Sequence, residues 1–197
     1  MKILITGFKP FNKETVNPTE IIINMLKEKD SSINTLLLNV EYNSDANMLI
    51  KEIDKLKVDV LICLGQAGGR SKVTIENFAL NMQSAQIPDN ANISLKHHPI
   101  NESGTLCYQT NVDLEKLINN INDENLSISY HAGTFICNEI YYRALEYINH
   151  NKLNIKCIFV HIPYIKEQVE NKPNMPYLDI EKSLDIISNI KEELLHV

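Results

Sequence analysis

The sequence lacks three features that would each define a broad class of protein. It has no cluster of basic residues, and its 19 lysines and arginines are outnumbered by 25 aspartates and glutamates, for a formal net charge of -6. A nucleic-acid surface needs clustered lysine and arginine, so this class is excluded. No apolar run approaches the length of a membrane span. The N-terminus shows no apolar leader, so we expect no export.

The sequence also lacks paired cysteines. Cys63, Cys107, Cys137 and Cys157 are widely separated, form no C-x-x-C pair, and three of them fall in or beside apolar runs. This spacing fits a reducing compartment, and we expect a cytoplasmic protein. With nucleic acids and membranes set aside, small molecules or peptides are the expected ligands.

What the sequence does contain is an alternation of strand and helix patterns. The 197 residues, 44% of them hydrophobic, suffice for one sizeable core, so we expect a single domain spanning residues 1–197. The alternation predicts an α/β fold, a three-layer α/β/α sandwich around a mostly parallel, twisted sheet. Strands are predicted over 2–6, 34–40, 58–64, 72–78, 126–130 and 155–160, and helices over 17–29, 44–56, 112–121, 135–148 and 178–195.

Cys137 stands where a predicted strand ends and a predicted helix begins, just after the glycine hinge at Gly133. With Thr134 as the N-cap, Cys137 lies in the first helical turn. Unpaired backbone N–H groups and the positive end of the helix dipole favour a thiolate there, which predicts a lowered pKa for Cys137. A structural role stays open, because free cysteines are among the most buried residue types.

Two further residues supply what a thiol nucleophile needs, a base and a group that orients the base. His161 leaves the carboxyl end of a predicted strand, where open α/β sheets place their ligands, and Glu76 lies on a strand beyond a glycine-rich turn. Residues leaving one edge of a parallel sheet converge, so the two are expected to meet Cys137. His161 as a core histidine and Glu76 as a solvated strand residue are the alternatives.

The glycine-rich turn at 65–69 invites a nucleotide-binding interpretation. Its spacing matches neither G-x-G-x-x-G nor the Walker pattern, and it precedes a strand rather than a helix. We interpret it as a turn whose glycines let the backbone approach a ligand. His97 and His98 are adjacent on a polar loop without a third ligand nearby, so we assign them no metal.

Six short segments in one order carry a more specific combination. They are TGFKPF at 6–11, NPT at 17–19, GQAGGR at 65–70 followed by Glu76, AQIPDN at 85–90, AGTFICN at 132–138 and VHIPY at 160–164. With them the chain resembles the pyroglutamyl peptidase I (pyrrolidone-carboxylate peptidase) family of cysteine peptidases, from Met1 to the final helix.

The resemblance implies that Cys137 is the nucleophile, His161 the general base and acid, and Glu76 the group that orients His161. It implies hydrolysis of the amide bond after an N-terminal pyroglutamyl residue through a thioacyl-enzyme, without a metal or organic cofactor, in a protein that is commonly a homotetramer. The neutral lactam suits an apolar slot with a few amide contacts. By resemblance the slot comprises Phe8, Phe11, Ile87, Phe135 and Ile136, with the Gln66 side chain or nearby backbone bonded to the lactam; core packing is the alternative.

Four residues, at three places in the chain, depart from the family pattern. Asn12 and Lys13 replace two usual glycines, His131 replaces a small polar residue, and Gln86 replaces an arginine. The missing charge at Gln86 predicts a higher Cys137 pKa or weaker transition-state stabilisation. A catalytically weak or inactive binder of pyroglutamyl peptides is therefore a second hypothesis, and a nucleotide-binding protein, resting on the glycine turn alone, is a third.

Overall fold

The structure is a computed structural model that describes residues 1–196, and it is built on a seven-stranded sheet. Four strands lie in the order β2-β1-β3-β7, β4 follows, and β5 and β6 both pair with β4. The strands are β1 (Ile3–Phe8), β2 (Asn34–Leu38), β3 (Val60–Gln66), β4 (Val73–Leu80), β5 (Cys107–Gln109), β6 (Leu126–His131) and β7 (Lys156–Ile162). The helices are α1 (Pro18–Lys29), α2 (Ser44–Leu56), α3 (Leu114–Ile121), α4 (Ile136–His150), α5 (Lys166–Val169) and α6 (Ile180–His196).

The sheet is mixed but mostly parallel, which confirms the predicted fold class. Strands β2, β1, β3 and β7 are parallel, and so are β4 and β6. The exceptions are β4 with β7 and β4 with β5, which are antiparallel. The reversal at β4 was not predicted, and it decides how the acidic residue reaches the active site.

The core lies on both faces of the sheet. On one face Leu61 of β3 and Phe159 of β7 pack with α2 and α4, and on the other Ile62 and Val160 pack with α1, α3 and α6. Successive residues of a strand point to opposite faces, so β3 and β7 bury nearly every side chain. This produces the predicted three layers.

Several element bounds differ from the predictions. Strands β1, β3 and β7 each run two residues further than predicted, so Gly7 and His161 are strand residues rather than loop residues. Strand β5 was missed because it has three residues, two of them exposed. Helix α5 is one turn inside a stretch predicted to be loop. Such short elements leave no periodic pattern.

Two further observations concern membrane-spanning helices and the state of the cysteines. No helix within residues 1–196 combines the length and the apolar character needed to cross a membrane. All four cysteines are free thiols; Cys63 and Cys157 are buried, Cys107 is exposed and Cys137 is partly exposed.

Candidate active site

Cys137 is the second residue of α4, in the first helical turn as predicted. The chain turns between β6 and α4 at Gly133, whose φ of 81° lies in the region that favours glycine. The N-cap is Phe135, not the predicted Thr134. The Thr134 hydroxyl instead donates to the Ser84 carbonyl at 2.6 Å, which ties the turn to the loop after β4.

The Cys137 sulfur rests against a glycine of the central strand. A Cβ atom built on Gly65 would lie 2.8 Å from Cys137 Sγ and 2.8 Å from the ring of Phe159. Gly65 is the register partner of His161 in the β3–β7 pair. The missing side chain at Gly65 therefore lets the sulfur settle beside the strand pair that carries His161.

Cys137 is a neutral thiol at rest. Burial, followed by the negative charge of Glu76, raises the pKa of Cys137 to about 12. The Cys137 backbone N–H and the charge of Arg70 act in the opposite direction but are outweighed. The predicted lowering of this pKa by the helix N-terminus is thus wrong for the resting site, because the loss of hydration dominates.

His161 and Glu76 form a buried hydrogen-bonded pair, with Nδ1 of His161 2.7 Å from Oε1 of Glu76. The sequence suggested that Glu76 and His161 leave the same edge of the sheet, but they do not. Glu76 lies within β4, which runs antiparallel to β7 and sets Thr74 opposite His161. Glu76 is two residues from Thr74 and so lies on the same face of the sheet.

The protonation states of this pair follow from its surroundings. Burial raises the pKa of Glu76, but the hydrogen bond and charge of His161, with Ser129 and Arg70, outweigh it and the net shift is downward. Burial lowers the pKa of His161, Arg70 lowers it further, and Glu76 opposes both. A charged Glu76 accepts the Nδ1 proton of a neutral His161, which leaves Nε2 free to accept another.

Arg70 is a site residue to which the sequence assigned no role. Its guanidinium is bonded to Glu76 Oε1, with Nη1 at 2.5 Å, and to the Thr74 hydroxyl. About a third of the side chain is exposed, whereas Glu76 is fully buried. The signal was present in the sequence, since a basic residue directly follows the glycine turn and precedes Glu76 by six positions.

Aromatic rings gather beside the nucleophile turn. The ring centroid of Phe135 lies 6.1 Å from that of Phe11 and 5.7 Å from that of Tyr42, which the sequence did not single out. The loop containing Ile87 reaches the same place, because Asp89 accepts from the Tyr42 backbone N–H at 3.0 Å.

The five predicted slot residues differ in exposure. Phe11, Ile87 and Phe135 are partly exposed. Phe8 and Ile136 are 3% and 1% exposed and pack in the core against α2 and α4. The partly exposed three therefore offer surface directly, while Phe8 and Ile136 lie beneath them.

The Gln66 side chain is turned away from the nucleophile. Its Oε1 accepts a hydrogen bond from Gln168 Nε2 at 2.8 Å. Gly65 faces Cys137, so the next residue along the strand points to the opposite face of the sheet. Of the two predicted partners for the lactam, the Gln66 side chain and the nearby backbone, this geometry favours the backbone.

The fold and the site together place the protein among α/β enzymes of the cysteine-hydrolase class. A thiol at a helix N-terminus, a neutral histidine with a free Nε2 and a buried carboxylate on its Nδ1 are the parts of a cysteine–histidine–carboxylate arrangement.

Comparisons with known proteins identify the family. The model of the pyroglutamyl peptidase family matches residues 1–193. Pyrrolidone-carboxylate peptidase 1 of Caldanaerobacter subterraneus subsp. tengcongensis is 38% identical, covering 95% of this chain and 94% of its own. The pyrrolidone-carboxylate peptidase of Brachyspira hyodysenteriae is also 38% identical, covering 95% and 96%. The chain therefore belongs to the pyroglutamyl peptidase family of cysteine peptidases.

Solved structures agree with this assignment. Pyroglutamyl peptidase I of Bacillus amyloliquefaciens superposes with a TM-score of 0.89 at 33% identity, covering 96% of this chain and 94% of that one. A pyrrolidone carboxyl peptidase mutant (E192D) of Pyrococcus furiosus gives 0.92 at 30% identity, covering 100% and 99%. The similarity thus extends over the whole fold.

Proposed function

We propose that Cys137, His161 and Glu76 are the catalytic residues of this chain. Family membership gives the reaction, since the chain is a pyrrolidone-carboxylate peptidase that removes an N-terminal pyroglutamyl residue from peptides. The assignment of roles rests on one observation: Glu76 of β4 forms a buried pair with His161 of β7, and the Cys137 sulfur lies against Gly65, the register partner of His161 on β3.

The first half of the reaction forms a thioester. His161 Nε2 accepts the thiol proton while Cys137 Sγ attacks the carbonyl carbon that follows the lactam ring. The charge of Glu76 stabilises the imidazolium, which offsets the high pKa of the resting thiol. His161 then returns its proton to the departing amine, the C–N bond breaks, and the shortened peptide leaves.

The second half regenerates the thiol. His161 takes a proton from a water molecule whose oxygen attacks the thioester carbon, the C–S bond breaks, and the sulfur recovers its proton. In both halves the negative oxygen faces the first turn of α4, where backbone N–H groups of the helix start have no intrahelical partner. Loss of one such donor typically costs about a hundred- to a thousand-fold in rate.

Recognition of the lactam follows from its chemistry. The ring has no α-ammonium group, so it needs apolar walls rather than a carboxylate. Phe11, Ile87 and Phe135 supply partly exposed walls, with Phe8 and Ile136 behind them. The backbone near Gln66, at the end of β3, supplies the hydrogen bonds to the lactam amide.

The test uses a pyroglutamyl chromogenic amide under reducing conditions. The wild-type chain should release the chromophore, and both Cys137→Ala and a thiol alkylator should abolish release. Cys107→Ala removes an exposed thiol elsewhere and serves as the matched control, with activity unchanged. Cleavage that survives Cys137→Ala would refute the assignment of the nucleophile.

A second candidate is a weakly catalytic binder of pyroglutamyl peptides. It is favoured by the exposed, uncharged Gln86 and by the Cys137 pKa of about 12. Saturable binding of pyroglutamate without turnover in reducing buffer would establish it. Ordinary turnover would eliminate it.

We also propose a cytoplasmic homotetramer. The resemblance of the sequence to its family supports the assembly, and the free thiols of all four cysteines support a reducing compartment. Light scattering coupled to gel filtration tests the assembly, and a monomer at micromolar concentration would contradict it. Cell fractionation tests the location.

A further inference from the structure

The Glu76 carboxylate has two donors on one oxygen. His161 Nδ1 lies 2.7 Å from Oε1, and Arg70 Nη1 lies 2.5 Å from the same atom. Among residues 1–196, Arg70 is the only lysine or arginine in an ion pair with any of the three proposed catalytic residues. Arg70 is therefore placed to influence both the orientation of the Glu76 carboxylate and the charge beside the proposed general base.

Arg70 is held in place by the turn that precedes it. Gly69 adopts a φ of 89°, and a side chain at Gly68 would collide with the ring of Tyr164, just beyond His161. The same Nη1 that is bonded to Glu76 is also bonded to the hydroxyl of Thr74, the register partner of His161. The glycine turn thus places a cation beside the Glu76–His161 pair. This role accounts for its glycines without a nucleotide-binding function.

We propose that Arg70 is a positioning residue of the active site, whose guanidinium fixes the Glu76 carboxylate toward His161 and adds to the burial that keeps the imidazole neutral until it accepts the thiol proton. The inference rests on the proposed roles of Cys137, His161 and Glu76.

The charges around His161 favour this role. Glu76 stabilises the imidazolium, and without a counterweight the base would hold a proton at rest and could not accept one from sulfur. Burial is the larger counterweight and Arg70 adds to it, since burial first and then the charge of Arg70 lower the pKa of His161; the charge of Arg70 also lowers the pKa of Cys137. The other titratable groups against this pair are the thiol of Cys137 and the phenol of Tyr141, which donates to the Glu76 backbone carbonyl at 3.0 Å.

The primary experiment is a titration of His161 in the full-length protein by NMR of histidine ring carbons, with the His161 signal assigned from His161→Gln. In Arg70→Gln the midpoint should rise by about one pH unit, the scale expected for a lost neighbouring charge. Arg70→Lys should keep the midpoint near that of the wild type. Lys72→Gln, which removes an exposed cation two residues away, is the matched control and should not move it.

Kinetics supply a second readout. In Arg70→Gln the acid limb of kcat/KM should move to higher pH by the same amount, with kcat reduced at neutral pH and KM unchanged, because Arg70 acts through Glu76 and not on the substrate. Thr74→Val, which removes one anchor of the guanidinium, should shift both measurements in the same direction by less. It provides the test if Arg70→Gln fails to fold.

The outcomes separate the two proposals. A His161 midpoint and an acid limb in Arg70→Gln that coincide with those of the wild type would overturn the role of Arg70, even if the variant melts at a lower temperature. A shifted midpoint in a protein that does not cleave pyroglutamyl substrates would uphold Arg70 and refute the proposed catalysis.

Discussion

At the scale of single residues, the charge of Glu76 is the feature on which the base depends. Glu76→Gln keeps the shape but removes the charge that stabilises the imidazolium, and its amide can face His161 with either end. We expect kcat to fall by about a thousandfold or more. Glu52→Gln, in an exposed ion pair with Lys55, is the control and should keep full activity. Steady-state kinetics decide, and a loss under about tenfold would contradict the role of Glu76.

A second buried carboxylate, Glu139, predicts a pH-dependent stability. Burial raises the pKa of Glu139 from 4.5 to about 7, although its Oε1 accepts from the Asn43 backbone N–H. Between pH 4.5 and 7 the folded chain keeps a proton that the unfolded chain has lost, so the free energy of unfolding falls as pH rises. Above pH 7 the whole penalty is present, about 3 kcal/mol.

Glu139→Gln removes this penalty without removing the acceptor. We expect the variant to exceed the wild type by about 3 kcal/mol in free energy of unfolding at pH 8, and by much less at pH 5. Urea denaturation at the two pH values measures the difference. Glu28→Gln, on the exposed face of α1, should show no such dependence. An equal difference at both pH values would mean that Glu139 does not titrate in this range.

At the scale of elements, Asn138 joins the nucleophile helix to the sheet. Its fully buried side chain accepts from the Leu80 N–H at 2.8 Å and donates to the carbonyls of Leu80 and Met82 at 2.8 and 2.9 Å. Asn138→Ala leaves these three backbone groups without their partner, so we expect a loss of about 2–3 kcal/mol in stability and reduced kcat. Asn151→Ala, which breaks one exposed bond at the other end of α4, should cost far less. Equal losses would show that Asn138 does not tie α4 to β4.

How far the sequence predicts each element depends on its length and period. The long, periodic helices α1 and α2 and the apolar strands β3 and β7 were predicted, because burial leaves a pattern along the chain. The direction of β4 was not predicted, because it depends on which strands pair, and the pairing strands are far apart in the sequence. That direction, and not a shared sheet edge, brings Glu76 to His161.

Within the site the residue types were predictable and their energetics were not. Cys137, His161 and Glu76 were selected from the sequence, and their roles remain predictions. The pKa of Cys137 depends on how much water surrounds the sulfur, which no local pattern encodes. The role of Arg70 depends on a contact with Glu76 across a turn. The role of Gln66 depends on which face of β3 its side chain occupies.

At the scale of the whole molecule, one sheet separates two cores and also connects them. Leu145 of α4 lies in one cluster and Ile187 of α6 in the other, both fully buried. Adjacent residues of β3 and β7 contribute to both clusters, so neither face can lose its packing without loosening the strands that support the other. A single domain should then unfold in one transition.

Truncation on each face tests this coupling. Leu145→Ala and Ile187→Ala should each lower the free energy of unfolding by about 2–5 kcal/mol. The chain has no tryptophan, and Tyr141 and Tyr142 are fully buried on the α4 face, so near-ultraviolet circular dichroism reports largely on that face. Ile187→Ala should nevertheless shift the tyrosine transition together with the far-ultraviolet one, whereas Ile93→Ala, at an exposed position, should shift neither. If Ile187→Ala moved only the far-ultraviolet transition, the two faces would unfold independently and the single-domain prediction would fail.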